Sequence, residues 1–83
     1  MIYDVEFSLD AAAELLRITE VVGSALLVLR AADPIRRHLE NDPADKGEFL
    51  SEGLYYIDEQ PLRAFILIDL DAMVVEITDF RIL

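Results

Sequence analysis

The sequence predicts an α+β fold in which a helical hairpin packs on one face of a small antiparallel sheet. The C-terminal third contains three short apolar runs, which Asp, Pro and Gly residues separate. Residues 2–7 alternate between apolar and polar side chains, and residues 9–41 carry apolar side chains at helical spacing. Alternation is typical of half-buried strands, and spacings of three and four are typical of helices. The predicted order is therefore β-α-α-β-β-β, in a single domain that covers residues 1–83.

The first predicted strand, residues 2–7, leads directly into a helix. Its aromatic and aliphatic side chains fall on one side, and its two acidic side chains fall on the other. Ser8 can accept a hydrogen bond from the first turn of a helix, and Asp10 in that turn interacts favourably with the helix dipole. The apolar spacing places the first helix at about residues 9–22.

A glycine and a serine separate this helix from the next. Gly23 suits the left-handed residue that ends many helices, and Ser24 can cap the helix that follows. The second helix extends to about Asn41, because its apolar residues recur at spacings of four, three and four. Pro34 lies inside this pattern without shifting its phase, so we expect one kinked helix.

The C-terminal third, residues 47–83, predicts three strands joined as an antiparallel meander. The apolar runs are 54–57, 64–68 and 73–77, and the last continues toward the C-terminus. Such short runs between turn residues are typical of strands. Since the middle run has almost no polar residue, we expect this strand to be buried on both faces.

The composition excludes several kinds of site and location. The chain has no cysteine, so it has no disulfide framework and no thiolate metal site, and we expect neither a metal nor a cofactor. We expect no signal peptide, because the first residues lack a basic flank followed by a long apolar run. The longest apolar run, 25–29, is far too short for a membrane span. A cytoplasmic location is therefore expected.

The charge balance is strongly acidic. With 17 acidic and 7 basic residues, the net charge is −10. Such a surface repels phosphate backbones, which disfavours autonomous binding to nucleic acid. Two interpretations of the acidity stay open: it provides solubility, or it attracts a basic partner.

The segment that joins the helices contains more apolar residues than one small sheet can cover. Seven of the nine residues in 21–29 are apolar. One interpretation is that they pack the two helices on each other. The other is an exposed patch for a partner or a second copy, with Leu26 and Leu27 at the interface.

Two stretches in the second half of the chain carry a resemblance to a known family, each in two parts: 41–43 with 46–48, and 51–57 with 61–65. Together with the order of the elements, they make the whole chain resemble the RelE/ParE toxin superfamily of type II toxin–antitoxin systems. The resemblance implies a helical hairpin on an antiparallel sheet. It also implies an antitoxin protein as partner, for which the hairpin side is a docking surface.

The catalytic branch of that superfamily cleaves mRNA on the ribosome. Attack of a 2′-hydroxyl on the adjacent phosphate needs a base, cations around the phosphorane and an acid for the leaving oxygen. The resemblance implies Glu48 and Arg63 as catalytic positions, with Arg81 in the C-terminal segment. The histidine or tyrosine that some members carry near the C-terminus is missing from residues 79–83. The candidate RNA-binding residues are Arg36, Arg37, Lys46 and Tyr55.

Two functions therefore stay open. The first is a toxin or toxin-like protein, acting if active as a ribosome-dependent mRNA endoribonuclease; a gyrase target is also compatible with the family. The second is a non-catalytic interaction module that keeps the fold without the ribonuclease site. Glu48 and Arg63 are also compatible with a surface salt bridge at the end of a hairpin. His38 is expected to be solvated. Tyr55 and Tyr56 must face opposite sides of their strand, so at most one of them can stack on a base.

Overall fold

A five-stranded sheet carries the helices on one of its two faces. The computed structural model describes residues 2–83. In chain order the elements are β1 (Asp4–Phe7), α1 (Leu9–Val22), α2 (Ala25–Asn41), α3 (Pro43–Lys46), β2 (Glu48–Ser51), β3 (Leu54–Glu59), β4 (Leu62–Asp69) and β5 (Val74–Ile82). The strand order across the sheet is β1-β5-β4-β3-β2. The predicted α+β architecture and its helical hairpin are confirmed.

The predicted meander forms the centre of the sheet. Strands β3, β4 and β5 are antiparallel neighbours, as the turn signals between the apolar runs indicated. The pairing of β1 differs from the expected all-antiparallel sheet, because β1 lies parallel to β5. This position follows from the chain path: α1 begins directly after Ser8 and packs on β5, so the preceding strand enters the sheet beside β5.

Two short elements were not predicted. Residues 43–46 form the single-turn helix α3, with Pro43 buried at its first turn. Glu48, expected just before the first strand of the meander, instead begins β2, an additional edge strand that pairs with β3. All four residues of β2 are exposed, which explains why their sequence shows no alternation between apolar and polar positions.

The helix boundaries follow the predicted caps. The Ser8 hydroxyl accepts a hydrogen bond from the Ala11 amide at 3.0 Å, and the Ser24 hydroxyl accepts one from the Leu27 amide at 3.3 Å. Gly23 adopts the left-handed conformation, with φ at 77°. Helix α2 continues through Pro34 without interruption, as its apolar spacing indicated.

Strand β4 is buried on one face only, so the prediction that both faces are covered was wrong. Leu62, Ala64 and Ile66 are buried under the helices, but Leu67 on the other side is 44% exposed. The apolar composition of 64–68 therefore does not reflect two covered faces. It places aromatic and aliphatic side chains on a sheet face that the helices leave uncovered.

A bulge changes the phase of β5. Val75 and Ile77 point into the core, and the register with β4 then shifts so that Phe80 is buried as well. The extra residue is Thr78, whose hydroxyl donates to the Phe65 carbonyl at 3.2 Å. The Ser8 hydroxyl donates to the Thr78 carbonyl at 3.2 Å. The bulge thus joins the start of α1 to the last strand.

Candidate functional site

The sheet face opposite the helices, called the open face below, holds all three candidate catalytic residues. Glu48 begins β2 and lies opposite Tyr56 of β3. Arg63 of β4 lies opposite Arg81 of β5. Because side chains alternate along a strand, neighbours in register share a face, and these positions alternate with the buried residues of β3, β4 and β5.

Arg63 is engaged by its own hairpin. Its Nε donates to the Asp58 carboxylate at 2.7 Å, and its terminal nitrogen donates to the second carboxylate oxygen at 2.9 Å. The guanidinium carbon lies 4.2 Å from the centroid of the Tyr56 ring. These two hydrogen bonds lower the pKa of Asp58, and hydrogen bonding to the same carboxylate raises the pKa of Arg63. The cation is therefore fixed in position and largely compensated in charge.

Arg63 does form a surface salt bridge at the end of a hairpin, but its partner is Asp58, so the expected pairing with Glu48 was wrong. Asp58 lies directly opposite Arg63, because Gln60 and Pro61 alone connect β3 to β4 and Glu59 pairs with Leu62. Glu48 lies two strands from Arg63, a lateral separation of roughly 10 Å between backbones. Asp58 was not among the candidate site residues predicted from the sequence. Asp58 and Arg63 lie at equal distances in sequence from the turn at Gln60 and Pro61. This symmetry is the sequence signal that indicates their pairing.

Arg81 completes a second cation–aromatic contact on the open face. Its guanidinium carbon lies 5.3 Å from the centroid of the Phe65 ring. Among residues 2–83, no acidic side chain lies within ion-pair distance of Arg81. Arg63 and Arg81 together could hold an anion such as phosphate, but two of the guanidinium nitrogens of Arg63 already donate to Asp58.

The candidate RNA-binding residues lie on three different elements, α2, α3 and β3. Arg36 and Arg37 lie on α2 and share the carboxylate of Asp33, at 3.6 and 3.5 Å. Lys46 ends α3, two residues before β2. Tyr55 packs against the core on the helix side.

Tyr56 is therefore the tyrosine on the open face. Phe49 meets the Tyr55 ring edge-on at 5.6 Å, whereas Tyr56 contacts Arg63 and the Phe65 ring. If either tyrosine stacks on a base, the alternation of β3 favours Tyr56.

On the opposite side of the molecule, α1 and α2 form an apolar groove. Its volume is about 420 Å³. It is lined by Phe7, Ala12, Leu15, Leu16, Thr19, Ala25, Val28 and Leu29. Of these, Leu16 is 70% exposed and Leu29 is 59% exposed, so the groove opens to solvent. This groove is called the helix groove below.

Leu26 and Leu27 lie on the surface at the start of α2, outside the lining of the helix groove. They are 57% and 49% exposed, so packing the helices on each other does not bury them. The interpretation of residues 21–29 as an exposed apolar patch is the one that the structure favours for these two leucines. Whether a second copy covers them stays a prediction.

Within residues 2–83, no three His, Cys, Asp or Glu side chains are grouped as metal ligands would be. In the same part of the chain, no helix has the length and apolar character needed to cross a membrane.

The comparisons with known proteins identify the fold. No protein-family model and no curated protein matches the chain. Among solved structures, the RelBE2 toxin–antitoxin complex of Mycobacterium tuberculosis matches with a TM-score of 0.81 and 17% identity, over 100% of this chain and 93% of that one. The chromosomal ParDE toxin–antitoxin system of P. aeruginosa matches with a TM-score of 0.73 and 16% identity, over 99% and 97%. The chain has the RelE/ParE toxin fold, and the resemblance stated from its sequence is confirmed at this level.

Proposed function

We propose that the chain is the toxin-fold member of a type II toxin–antitoxin pair, and that it binds an antitoxin protein through the helix groove. The observation that carries this proposal is the open apolar groove between α1 and α2, in a fold shared with proteins solved as toxin–antitoxin complexes. The partner of the proposal is an amphipathic helix.

The exposed side chains support a helical occupant. Phe7, Leu16 and Leu29 together present aromatic and aliphatic surface that water covers poorly. An amphipathic helix buries such a surface with apolar residues on one face, while its polar face stays in solvent. Leu26 and Leu27 are also exposed at the start of α2, but neither of them lines the helix groove.

We favour a chain that keeps the toxin fold and binds an antitoxin but does not cleave mRNA. Residues 79–83 contain neither the histidine nor the tyrosine that some members of the catalytic branch carry there, and Asp58 compensates Arg63. A net charge of −10 also opposes the approach of mRNA and ribosomal RNA.

The second candidate function is the ribosome-dependent mRNA endoribonuclease. The observation in its favour is that Glu48, Arg63 and Arg81 share one face. In that reaction the Glu48 carboxylate would take the proton of the 2′-hydroxyl as its oxygen bonds to the adjacent phosphorus. The bond from phosphorus to the 5′-oxygen would break, and the leaving 5′-oxygen would take a proton from water. The two arginines would stabilise the charge of the phosphorane.

A binding experiment tests the antitoxin proposal. The tagged chain is co-expressed with the product of the neighbouring reading frame and purified. We expect a stable complex, which Leu16→Glu and Leu29→Glu each abolish because they place a charge in the helix groove. Leu70→Glu is the matched control, since Leu70 is 64% exposed but lies in the turn after β4.

Circular dichroism of the purified variants separates loss of binding from loss of fold. Retention of the complex by folded Leu16→Glu and Leu29→Glu proteins would place the interface elsewhere. The absence of any antitoxin-like neighbouring frame would argue against the toxin–antitoxin function itself.

A further inference from the structure

One half of the open face is acidic and carries none of the arginines. In register across β4, β5 and β1, Leu67 lies beside Glu76, which lies beside Glu6. One step along, Asp69 lies beside Val74, which lies beside Asp4. We call these six residues the acidic half: Asp4, Glu6, Leu67, Asp69, Val74 and Glu76.

We propose that the acidic half is a docking surface for an extended segment of a partner protein in which basic residues alternate with apolar ones. This surface lies on the face of the sheet opposite the helix groove. The proposal therefore goes beyond antitoxin binding there and does not depend on it.

The shape of the surface supports an alternating segment. Glu6, Leu67, Asp69, Val74 and Glu76 line a shallow depression of about 330 Å³. Leu67 is 44% exposed, although it lies on a central strand. An aliphatic side chain, or the aliphatic stem of a lysine, can pack on Leu67 and Val74 while the ammonium group reaches the surrounding carboxylates.

The charges of the acidic half are not compensated within the described chain. Each ion pair found in residues 2–83 lies elsewhere, on α1, on α2 or in the β3–β4 hairpin. Glu6 and Glu76 are direct neighbours on adjacent strands, and like charges in that arrangement destabilise a sheet. A bound cation would remove this repulsion, so the fold itself favours a basic occupant.

The other candidate occupants fit less well. A nucleic acid would bring phosphates to a carboxylate surface. A second copy would bring another net charge of −10. Its Arg36 and Arg37 already share Asp33 within their own helix. A basic protein segment is the occupant that charge complementarity selects.

Peptide titration of the isotope-labelled protein tests this proposal by NMR. The probe is a synthetic peptide in which lysine alternates with valine, and we expect amide shifts at Glu6, Leu67 and Glu76. Matched peptides replace every lysine by glutamate or every valine by serine. The glutamate peptide should not bind, and the serine peptide should bind more weakly. Added salt should weaken binding of the lysine peptide, because its ion pairs with the protein are exposed to solvent.

Two double variants with the same change in charge provide the control. Glu6→Gln with Glu76→Gln should weaken the lysine peptide about tenfold. Glu20→Gln with Asp45→Asn removes the same charge from exposed positions on α1 and α3 and should leave binding nearly unchanged.

Several results would overturn the proposal. Binding of the glutamate peptide, or equal weakening by the two double variants, would reduce the effect to non-specific attraction. Shifts confined to Leu16 and Leu29 would move the site to the helix groove and leave the antitoxin proposal intact. No shift at millimolar lysine peptide would remove the site altogether.

Discussion

At the scale of single residues, Asp58 decides what the open face can bind. Its carboxylate takes two hydrogen bonds from Arg63, and the guanidinium also stacks on Tyr56. An arginine held in this way is positioned for recognition but offers few donors to an incoming phosphate. Because Arg63 lowers the pKa of Asp58, that pKa reports whether the two hydrogen bonds are formed.

The pKa of Asp58 should rise when Arg63 is replaced. Arg63→Met keeps an unbranched stem beside Tyr56 but removes both hydrogen bonds, so the cause of the lowered pKa disappears. A lowered pKa in the folded state stabilises the protein above the unfolded pKa of the group. That contribution is lost as the pH falls through the folded pKa. The difference in unfolding free energy between wild type and Arg63→Met should therefore shrink on acidification, leaving only the contribution of the contact between Arg63 and Tyr56.

Carboxyl carbon shifts of Asp58 during an acid titration measure this directly. Arg30→Met is the control, since Arg30 makes no ion pair within the described residues 2–83. An unchanged titration of Asp58 in the Arg63→Met protein would contradict the assignment of Arg63 as its main partner.

Ser8 should contribute more to stability than Ser24, although both cap helices. The Ser8 hydroxyl accepts from Ala11 and also donates to the carbonyl of Thr78 in the bulge of β5. The hydroxyl of Ser24 caps α2 through a longer and exposed hydrogen bond. Ser8→Ala should cost about 0.5–2 kcal/mol, toward the upper end of that range, and Ser24→Ala should cost less. Urea titration measures both; equal losses would mean that the bulge contact adds nothing.

At the scale of elements, the residues of β4 should differ in their contribution to stability according to how deeply the helices bury them. Ile66 is fully buried, whereas Ile68 is only partly covered. Ile66→Ala should therefore lower the free energy of unfolding by about 2–5 kcal/mol. Ile68→Ala should cost clearly less. Denaturant titration of the two variants checks the order, and a larger loss at Ile68 would contradict the burial pattern.

Most of the elements could be predicted from the sequence, because their signals are local. Ser8 and Ser24 cap the starts of the helices, and Gly23 ends α1 in the left-handed conformation. Turn residues separate the strands of the meander. The parallel position of β1 could not be predicted in this way. It depends on where α1 packs, and no residue of 2–7 encodes that. Strand β2 was missed because its exposed residues need no alternation.

The candidate site was predictable only in part. Glu48, Arg63 and Arg81 were selected through resemblance, and the register of the sheet does bring them to one face. The role of Asp58 depends on which residues the β3–β4 turn places opposite each other. Tyr56 rather than Tyr55 faces that site because the helices cover the face of β3 that carries Tyr55. The strand propensity of the two residues does not determine which face is covered.

At the scale of the whole molecule, charge and site composition together predict a mild phenotype. We expect a bacterial host to tolerate expression of the chain alone, because the open face combines a compensated Arg63 with a net charge of −10. Growth curves and mapping of mRNA ends measure the effect. Asp58→Asn serves as a sensitised variant, since it frees Arg63.

Comparing the wild-type chain with the Asp58→Asn variant distinguishes the two proposed functions. Growth arrest with cleaved mRNA, relieved by Arg63→Ala, would establish the endoribonuclease. Arrest by Asp58→Asn alone would mean that the site is intact and held inactive by its own hairpin.

The parallel pairing of β1 with β5 has a consequence for how the protein folds. It joins segments 70 residues apart, whereas β3, β4 and β5 are linked by short turns. Since distant contacts must first overcome the entropy of closing a long loop, the meander is expected to form early and β1 to join late. Until then one side of β5 is an unpaired edge, to which another chain can add. Pulse-labelled hydrogen exchange should detect this order as late protection of the β1 amides. Refolding yield should fall with increasing protein concentration, and more steeply when Val5→Asp weakens the docking of β1.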